Sequence, residues 1–206
     1  MTDAGVSGIV LAGGGSSRFG SDKLAAEFDG VPLLDRAVAA VAAVAGCSEV
    51  VVVLAPGDDR ELLPAAVPVR RARDPSEHGG PLVGLLAGLE VAREPLVIVV
   101  GGDMPTLSPD VLAALLRALT ATEGSADAAV LLQRGIARPL PAALRNGAAT
   151  QVARHLIGDG ERSLVALVRD LASRSLSEGE WRGLDPAGAT LRDIDRPEDL
   201  PKTRRT

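Results

Sequence analysis

The stretch Leu11-Ala12-Gly13-Gly14-Gly15-Ser16-Ser17-Arg18-Phe19-Gly20-Ser21-Asp22-Lys23 carries the strongest chemical signal in the chain. Adjacent glycines let a backbone curl until its N–H groups converge on an anion. Arg18 and Lys23 bring cationic charge to the same loop. A guanidinium grips phosphate oxygens in pairs, and an ammonium is a point charge suited to a developing phosphorane. The plain structural alternative is a strand-to-helix turn with a solvated Arg and Lys. Two familiar phosphate motifs do not fit. In the dinucleotide pattern GxGxxG, Arg18 stands where the third glycine belongs, and Asp58 is too far downstream for the ribose carboxylate. In the P-loop pattern, Gly15 and Gly20 have the right gap, but Ser21 stands in place of the lysine.

The carboxylates come next. Asp103 follows the apolar run Leu96-Val97-Ile98-Val99-Val100 through Gly101-Gly102 and precedes Met104-Pro105. Open α/β sheets hold ligands at the carboxyl ends of their strands, so Asp103 would share an edge with the glycine loop if both strands are parallel. A carboxylate there can hold Mg²⁺ against phosphate oxygens. Read alone, Asp103 is equally a turn residue before Pro105. Asp74, before Pro75, reads as an Asp-Pro turn. In Asp193-Ile194-Asp195-Arg196-Pro197-Glu198-Asp199-Leu200, Asp195 suits a helix N-cap with Pro197 in the first turn.

Covalent catalysis has little to draw on. Cys47 is the only cysteine and sits in an Ala/Val run, where an inert core thiol is expected; one cysteine excludes a disulfide framework. His78 and His155 have no partners at metal or triad spacing.

Buried strands are expected at Gly8–Ala12, Val50–Leu54, Val67–Val69, Leu96–Val100 and Ala128–Leu132. The runs at Val50 and Leu96 are continuous and β-branched, which suits strands covered on both faces. Helices are expected over Leu33–Ala45 after Pro32, Leu82–Ala92 after Pro81, and Val111–Leu119 with Ser108 as N-cap and Pro109 in the first turn. Two more are expected over Ala149–Ile157 and Ser163–Leu171. The alternation predicts an α/β fold, a three-layer α/β/α Rossmann-like sandwich on a mostly parallel sheet, with an antiparallel element in the last third. The 206 residues suit a single domain, ordered over about residues 6–200.

Composition narrows the function classes. The chain is 46% hydrophobic with one Trp, two Phe and no Tyr, so base stacking on aromatics is largely unavailable. A net charge of −5 disfavours non-specific nucleic-acid binding. No basic signal region opens the sequence, and no run of about 18 apolar residues spans a membrane, so a cytoplasmic location without membrane contact is expected.

The segment Leu11–Lys23, with Gly101-Gly102-Asp103-Met104-Pro105, resembles the nucleotidyltransferases of nucleotide-diphosphosugar-transferase-type fold, and in detail the molybdenum cofactor guanylyltransferase family. The resemblance runs from Gly8 to about Leu200. It implies that Leu11, Ala12, Gly13, Gly14, Lys23, Asp74 and Asp103 bind the nucleotide, that Arg18 and Lys23 contact its phosphates, and that Asp103 carries Mg²⁺. Gly80-Pro81-Leu82 would form a wall of that site. Gly80, Pro81, Arg138, Asp193 and Asp195 fall where the acceptor is expected, and Arg162 is a further candidate contact there. The implied substrates are GTP and molybdenum-molybdopterin, the implied product is molybdopterin guanine dinucleotide, and cofactor-insertion proteins or recipient molybdoenzymes are the implied partners. The double glycine Gly13-Gly14 is typical of the guanylyl branch; the cytidylyl branch usually has Ala second.

Some positions depart from the family pattern. Asp193 and Asp195 stand where Asn is usual, Phe19 where Met is usual, and Leu54 or Ala55 where Asn is found near the nucleotide. The alternatives are a relative using CTP or another phosphorylated acceptor, and a nucleotide-binding homologue without catalysis. A dinucleotide-dependent oxidoreductase is disfavoured by the failed GxGxxG pattern.

Overall fold

The computed structural model describes residues 4–13, 19, 22–76, 79–121 and 126–201. The strands, in chain order, are β1 Val6–Ala12, β2 Glu27–Phe28, β3 Val31–Pro32, β4 Cys47–Leu54, β5 Val69–Arg73, β6 Leu96–Gly101, β7 Ala128–Gln133, β8 Ile136–Arg145 and β9 Ser173–Leu176. The helices are α1 Leu33–Ala42, α2 Pro81–Val91, α3 Pro109–Thr120, α4 Asn146–Gly158, α5 Leu164–Asp170 and α6 Glu178–Arg182.

Seven strands form one sheet in the order β5-β4-β1-β6-β8-β7-β9, and β2 and β3 form a separate short hairpin. β1 pairs in parallel with β4 and β6, and β4 with β5. β8 runs antiparallel to both β6 and β7, while β9 is parallel to β7. The alternating side chains of the central strands feed two separate cores. Val10, Val52, Ile98 and Val100 pack with α1 and α3 on one face, with Trp181 of α6 in the same cluster. Ile9, Val51, Val53, Val97 and Val99 pack with α2, α4 and α5 on the other. Both faces of β4 and β6 are therefore covered, which is why their sequences are unbroken apolar runs. Each such fully buried Val or Leu contributes about 1.5–3 kcal/mol of transfer free energy. The expected three-layer sandwich on a mostly parallel sheet is present. No helix among the described residues is long and apolar enough to cross a membrane.

Four local expectations need correction. The strand expected at Val67–Val69 is β5, Val69–Arg73, in which only Ala72 is buried. It lies at the sheet edge, where arginines turned to solvent find local acceptors: Arg71 donates to the Arg60 carbonyl and Arg73 pairs with Asp59. α1 stops at Ala42 rather than Ala45, because the chain turns through Gly46 to start β4. Ser108 precedes α3, but its side chain makes no capping bond; its own N–H donates to the Thr190 hydroxyl at 3.1 Å. The first helical turn after Asp195 is a 3₁₀ turn, Pro197–Asp199, capped at Arg196, and the Asp199 carboxylate accepts from the Asp195 and Arg196 N–H groups.

β8 accounts for the antiparallel element. β7 and β8 join through Arg134 and Gly135, whose φ values of 53° and 75° make the two-residue turn that a hairpin favours. Pro139, Leu140 and Pro141 fall where the β7–β8 register breaks, between the Leu131–Arg138 and Val130–Ala142 pairs. Residues without N–H groups therefore occupy positions where no ladder bond is required.

Candidate active site

The parallel strands β1, β4, β5 and β6 end on the same edge of the sheet, delivering Gly13, Ala55, Asp74 and Gly102-Asp103 there. The edge is stitched by backbone bonds: Gly102 donates to the Leu11 carbonyl, and Asp74 to the Leu54 carbonyl, both at 2.9 Å. β7 points the same way as these strands, so its hairpin with β8 also starts at this edge. The antiparallel β8 thus presents Arg138 near its beginning rather than its end.

Lys23 opens a 3₁₀ turn, Lys23–Ala25, set by the Asp22 carboxylate, which accepts from the Leu24 N–H at 3.1 Å. Arg60 in turn pairs with Asp22. From this turn the Lys23 ammonium reaches Asp103 Oδ2 at 2.8 Å and Asp195 Oδ1 at 3.1 Å. The lysine side chain is only 13% exposed, whereas Asp195 is 61% exposed. Burial works against the charged ammonium, but the hydrogen bonds and charges of Asp103 and Asp195 outweigh it and hold Lys23 above the usual lysine value.

The closing segment is locked to the same turn, because the Ile194 N–H donates to the Asp103 carbonyl at 3.0 Å. Asp193 and Asp195 flank that anchor. Burial, then the negative charges of Asp195 and Asp103, push the Asp193 carboxyl above its ordinary range, and Arg138 opposes the shift. Arg138 has a buried Nε without a hydrogen-bond partner.

Asp74 is 7% exposed and serves two ends at once. Its Oδ1 accepts from the Ser76 N–H at 3.0 Å, which makes the expected turn. Its Oδ2 lies 3.6 Å from where a Cβ on Gly13 would stand, so the carboxylate borders the end of β1. A Cβ on Gly84 in α2 would stand 3.0 Å from the same oxygen. Gly80 caps α2 with φ 79°, and a Cβ there would meet Arg162 Cβ at 2.7 Å; the Leu82 N–H donates to the Arg162 carbonyl.

The structure therefore brings together Lys23, Asp103, Asp195, Asp193 and Arg138, and separately joins Gly13 to Asp74. Leu11 and Ala12 end β1 beside Asp103. The described contacts of Gly80 are with the 161–163 segment, not with the Lys23 cluster, and Pro81 begins α2 beside it. Arg162 Nη1 donates to the Ile157 carbonyl at 3.0 Å and the Glu161 carbonyl at 2.7 Å, at the end of α4. His155 is exposed and faces Asp159. Gly14, Arg18 and His78 lie outside the described residues.

Several contributors were not legible in the sequence. Phe19, Phe28, Leu33 and Ile194 form a small third core that joins the glycine loop to the closing segment. The guanidinium carbons of Arg36 and Arg192 lie 5.0 and 5.2 Å from the Phe28 ring centre. Arg36 Nε also donates to the Pro105 carbonyl at 2.9 Å, tying α1 to the turn after Asp103. The scarcity of aromatics was the one available hint, because two Phe in such a chain are both spent here. Gly84 was signalled only by its place in the Gly-Pro-Leu-Val-Gly run. A cleft of about 640 Å³ opens between Pro95 and the start of α4, at the opposite edge of the sheet, away from these carboxylates.

A family model described as the MobA-like NTP transferase domain matches residues 8–175. A probable molybdenum cofactor guanylyltransferase of Chloroflexus aggregans is 34% identical over 201 residues, covering 95% of this chain and 91% of that protein. A molybdenum cofactor guanylyltransferase of Desulfosudis oleivorans is 30% identical over 198 residues, covering 96% and 93%. Among solved structures, molybdopterin-guanine dinucleotide biosynthesis protein A from Archaeoglobus fulgidus superposes with a TM-score of 0.74 at 21% identity, covering 94% of each chain. A 4-diphosphocytidyl-2C-methyl-D-erythritol synthase from Anaerococcus prevotii superposes at 0.70 with 13% identity, covering 96% and 93%.

Proposed function

The chain belongs to the MobA-like NTP transferase family, and from that membership we propose that it transfers GMP from GTP to molybdenum-molybdopterin, forming molybdopterin guanine dinucleotide and pyrophosphate. The observation that carries the site assignment is the Lys23 ammonium held by Asp103 and Asp195 at the edge where β1 ends.

A terminal phosphate oxygen of the acceptor attacks the α-phosphorus of GTP. The bond from that phosphorus to the bridging oxygen of the β-phosphate breaks, and pyrophosphate leaves with the electron pair. Chemistry of this kind needs positioning and charge neutralisation more than a protein nucleophile. Lys23 supplies a positive charge to the phosphates. Asp74, beside Gly13, is an acceptor for the hydroxyl or N–H donors of the nucleoside. Leu11, Ala12, Gly13 and Gly14 line the path of the nucleotide, and Arg18 is a second phosphate contact. On the acceptor side, the Arg138 guanidinium offers positive charge to an anionic group, with Asp193 and Asp195 near it and Gly80 and Pro81 forming a more distant wall.

The donor set fits a divalent cation. A positive charge already bridges the Asp103 and Asp195 carboxylates, and Mg²⁺ commonly takes one or two carboxylates and completes its shell with water and substrate phosphates. No three His, Cys, Asp or Glu among the described residues form a larger ligand set. Bound at Asp103, Mg²⁺ would neutralise charge on the triphosphate. We assign the reaction to the cytoplasm, and cofactor-insertion proteins or recipient molybdoenzymes as the receivers of product.

The test is pyrophosphate release by the purified chain with Mg²⁺ and each of the four NTPs, with and without molybdenum-loaded molybdopterin. Release with GTP and acceptor only is the expected result. Release with CTP would move the chain to the cytidylyl branch, and silence with all four would overturn the catalytic reading.

A further inference from the structure

We infer that the Lys23 ammonium is the resident occupant of the cation position between Asp103 and Asp195, so that a divalent ion loads there only after nucleotide phosphates have drawn Lys23 away. Before the metal loads, Asp195 is a positioning residue that acts through Lys23. The inference rests on the proposed nucleotidyl transfer.

The backbones of Asp103 and Asp195 are the anchored members of the arrangement. The Asp103 carbonyl is held by the Ile194 N–H, and the Asp195 N–H by the Asp199 carboxylate. Lys23 is the movable member, a four-carbon stem on a three-residue turn. Its ammonium bonds both carboxylates at once and is largely shielded from water. A metal ion that took the same two oxygens, Asp103 Oδ2 and Asp195 Oδ1, would have to displace the ammonium that holds both, and a dication beside that ammonium would be repelled by it.

The cluster also needs a cation at all times. Asp103 and Asp195 both lie against the one Lys23 ammonium, which offsets the repulsion between their carboxylates. If Lys23 left with nothing in its place, that repulsion would grow. The triphosphate offers Lys23 a competing anion, while the metal that accompanies it replaces the lost positive charge. The two exchanges are favourable together and unfavourable separately, which makes nucleotide and metal binding mutually dependent.

The experiment titrates the full-length, nucleotide-free chain with Mn²⁺ and reads the free ion by electron paramagnetic resonance. Lys23→Gln should bind Mn²⁺ at least about tenfold tighter than the parent, within the usual range of coupling between sites. Lys23→Arg, which keeps the charge, should stay close to the parent. Adding Asp103→Asn to Lys23→Gln should cancel the gain. Circular dichroism confirms that each variant is folded, and Lys23→Met replaces Lys23→Gln if the latter is not. Unchanged or weaker Mn²⁺ binding by the folded neutral variant, or a gain that survives Asp103→Asn, overturns the inference.

A second arm measures GTP binding in the presence of a chelator. Asp195→Asn should tighten it several-fold in the parent and leave it unchanged in the Lys23→Gln background. Equal tightening in both backgrounds means Asp195 merely repels phosphate, which also overturns the inference. The Mn²⁺ arm needs no nucleotide, so its failure leaves the transfer reaction standing, and failure of GTP-specific pyrophosphate release leaves the Mn²⁺ result intact.

Discussion

Substituting Gly84 by Ala tests whether Asp74 reads the nucleotide, because one methyl group acts on stability through two opposing terms but on binding through one. Gly84 is buried within α2, and alanine in a helix interior is favoured over glycine by about 1 kcal/mol. Against that, the new Cβ would stand 3.0 Å from Asp74 Oδ2, where ordinary contact begins at 3.4 Å. The carboxylate must yield by about 0.4 Å, and overpacking of this kind costs about 1–3 kcal/mol. The net loss of stability is therefore small, about 0–2 kcal/mol, or a few degrees in melting temperature for a chain of this size. Binding has no such compensation. Asp74 is held by the Ser76 N–H on one oxygen, so the displacement falls on Oδ2, the oxygen beside Gly13. A hydrogen bond to a charged group is worth about 1.5–3 kcal/mol, so its loss weakens GTP binding roughly ten- to a hundredfold. Calorimetric titration with GTP, alongside thermal unfolding, reads both quantities on one sample. Unchanged GTP affinity in a folded Gly84→Ala chain would refute the argument. So would a full further loss when Gly84→Ala is added to Asp74→Ala, since the two should not be additive if they act through one oxygen.

Asp103→Ala should keep its fold but lose turnover by at least about a hundredfold, as expected for removal of a group that stabilises transferring phosphate; full Mg²⁺-dependent activity would remove Asp103 from the mechanism. Arg138→Met should raise KM for the acceptor about tenfold with GTP binding unchanged, and stability should fall by no more than about 1 kcal/mol because the buried Nε has no partner to lose. Glu49 is buried, and although burial alone would raise its pKa, the Arg93 N–H, Arg70 and Ser7 hydrogen bonds outweigh it and depress it. A depressed carboxyl contributes stability that is present above its unfolded value of 4.5 and is lost as pH falls through the lower folded value. Glu49→Gln should therefore cost about 2 kcal/mol near pH 7 and flatten the acid limb below pH 4.5, as followed by urea unfolding across pH.

The parts of the fold that read directly from the sequence are those buried on both sides. β4 and β6 announce themselves because neither face needs a polar residue, and Asp103 stands out because it ends such a run. β5 was displaced because an edge strand exposes its arginines and so lacks the apolar signal. β8 was missed because Pro139 and Pro141 argue against a strand, and only the register break with β7 explains how they are accommodated. In the site, Lys23 and Asp103 were legible from the glycine loop and a strand end, whereas Asp74 read as a turn and entered only through the family resemblance. The bond from Lys23 to Asp195 spans 172 positions, and no local pattern encodes it. The same holds for Arg36 on Phe28 and Pro105, and for the Ser7–Glu49–Arg70 network. Each depends on chain crossings that exist only after the sheet has formed.

The reversed direction of β8 gives Arg138 and Lys23 unequal foundations. Arg138 stands on β8 opposite Leu131 of β7, so its place against β7 is set by the ladder. Lys23 stands on a three-residue turn whose position is set by side-chain contacts. Amide exchange at Ala142–Leu144 should consequently require opening of the sheet, while exchange at Leu24 and Ala25 should need only a local fluctuation. Moving Arg138 would mean rebuilding a strand, whereas moving Lys23 needs changes only in its turn.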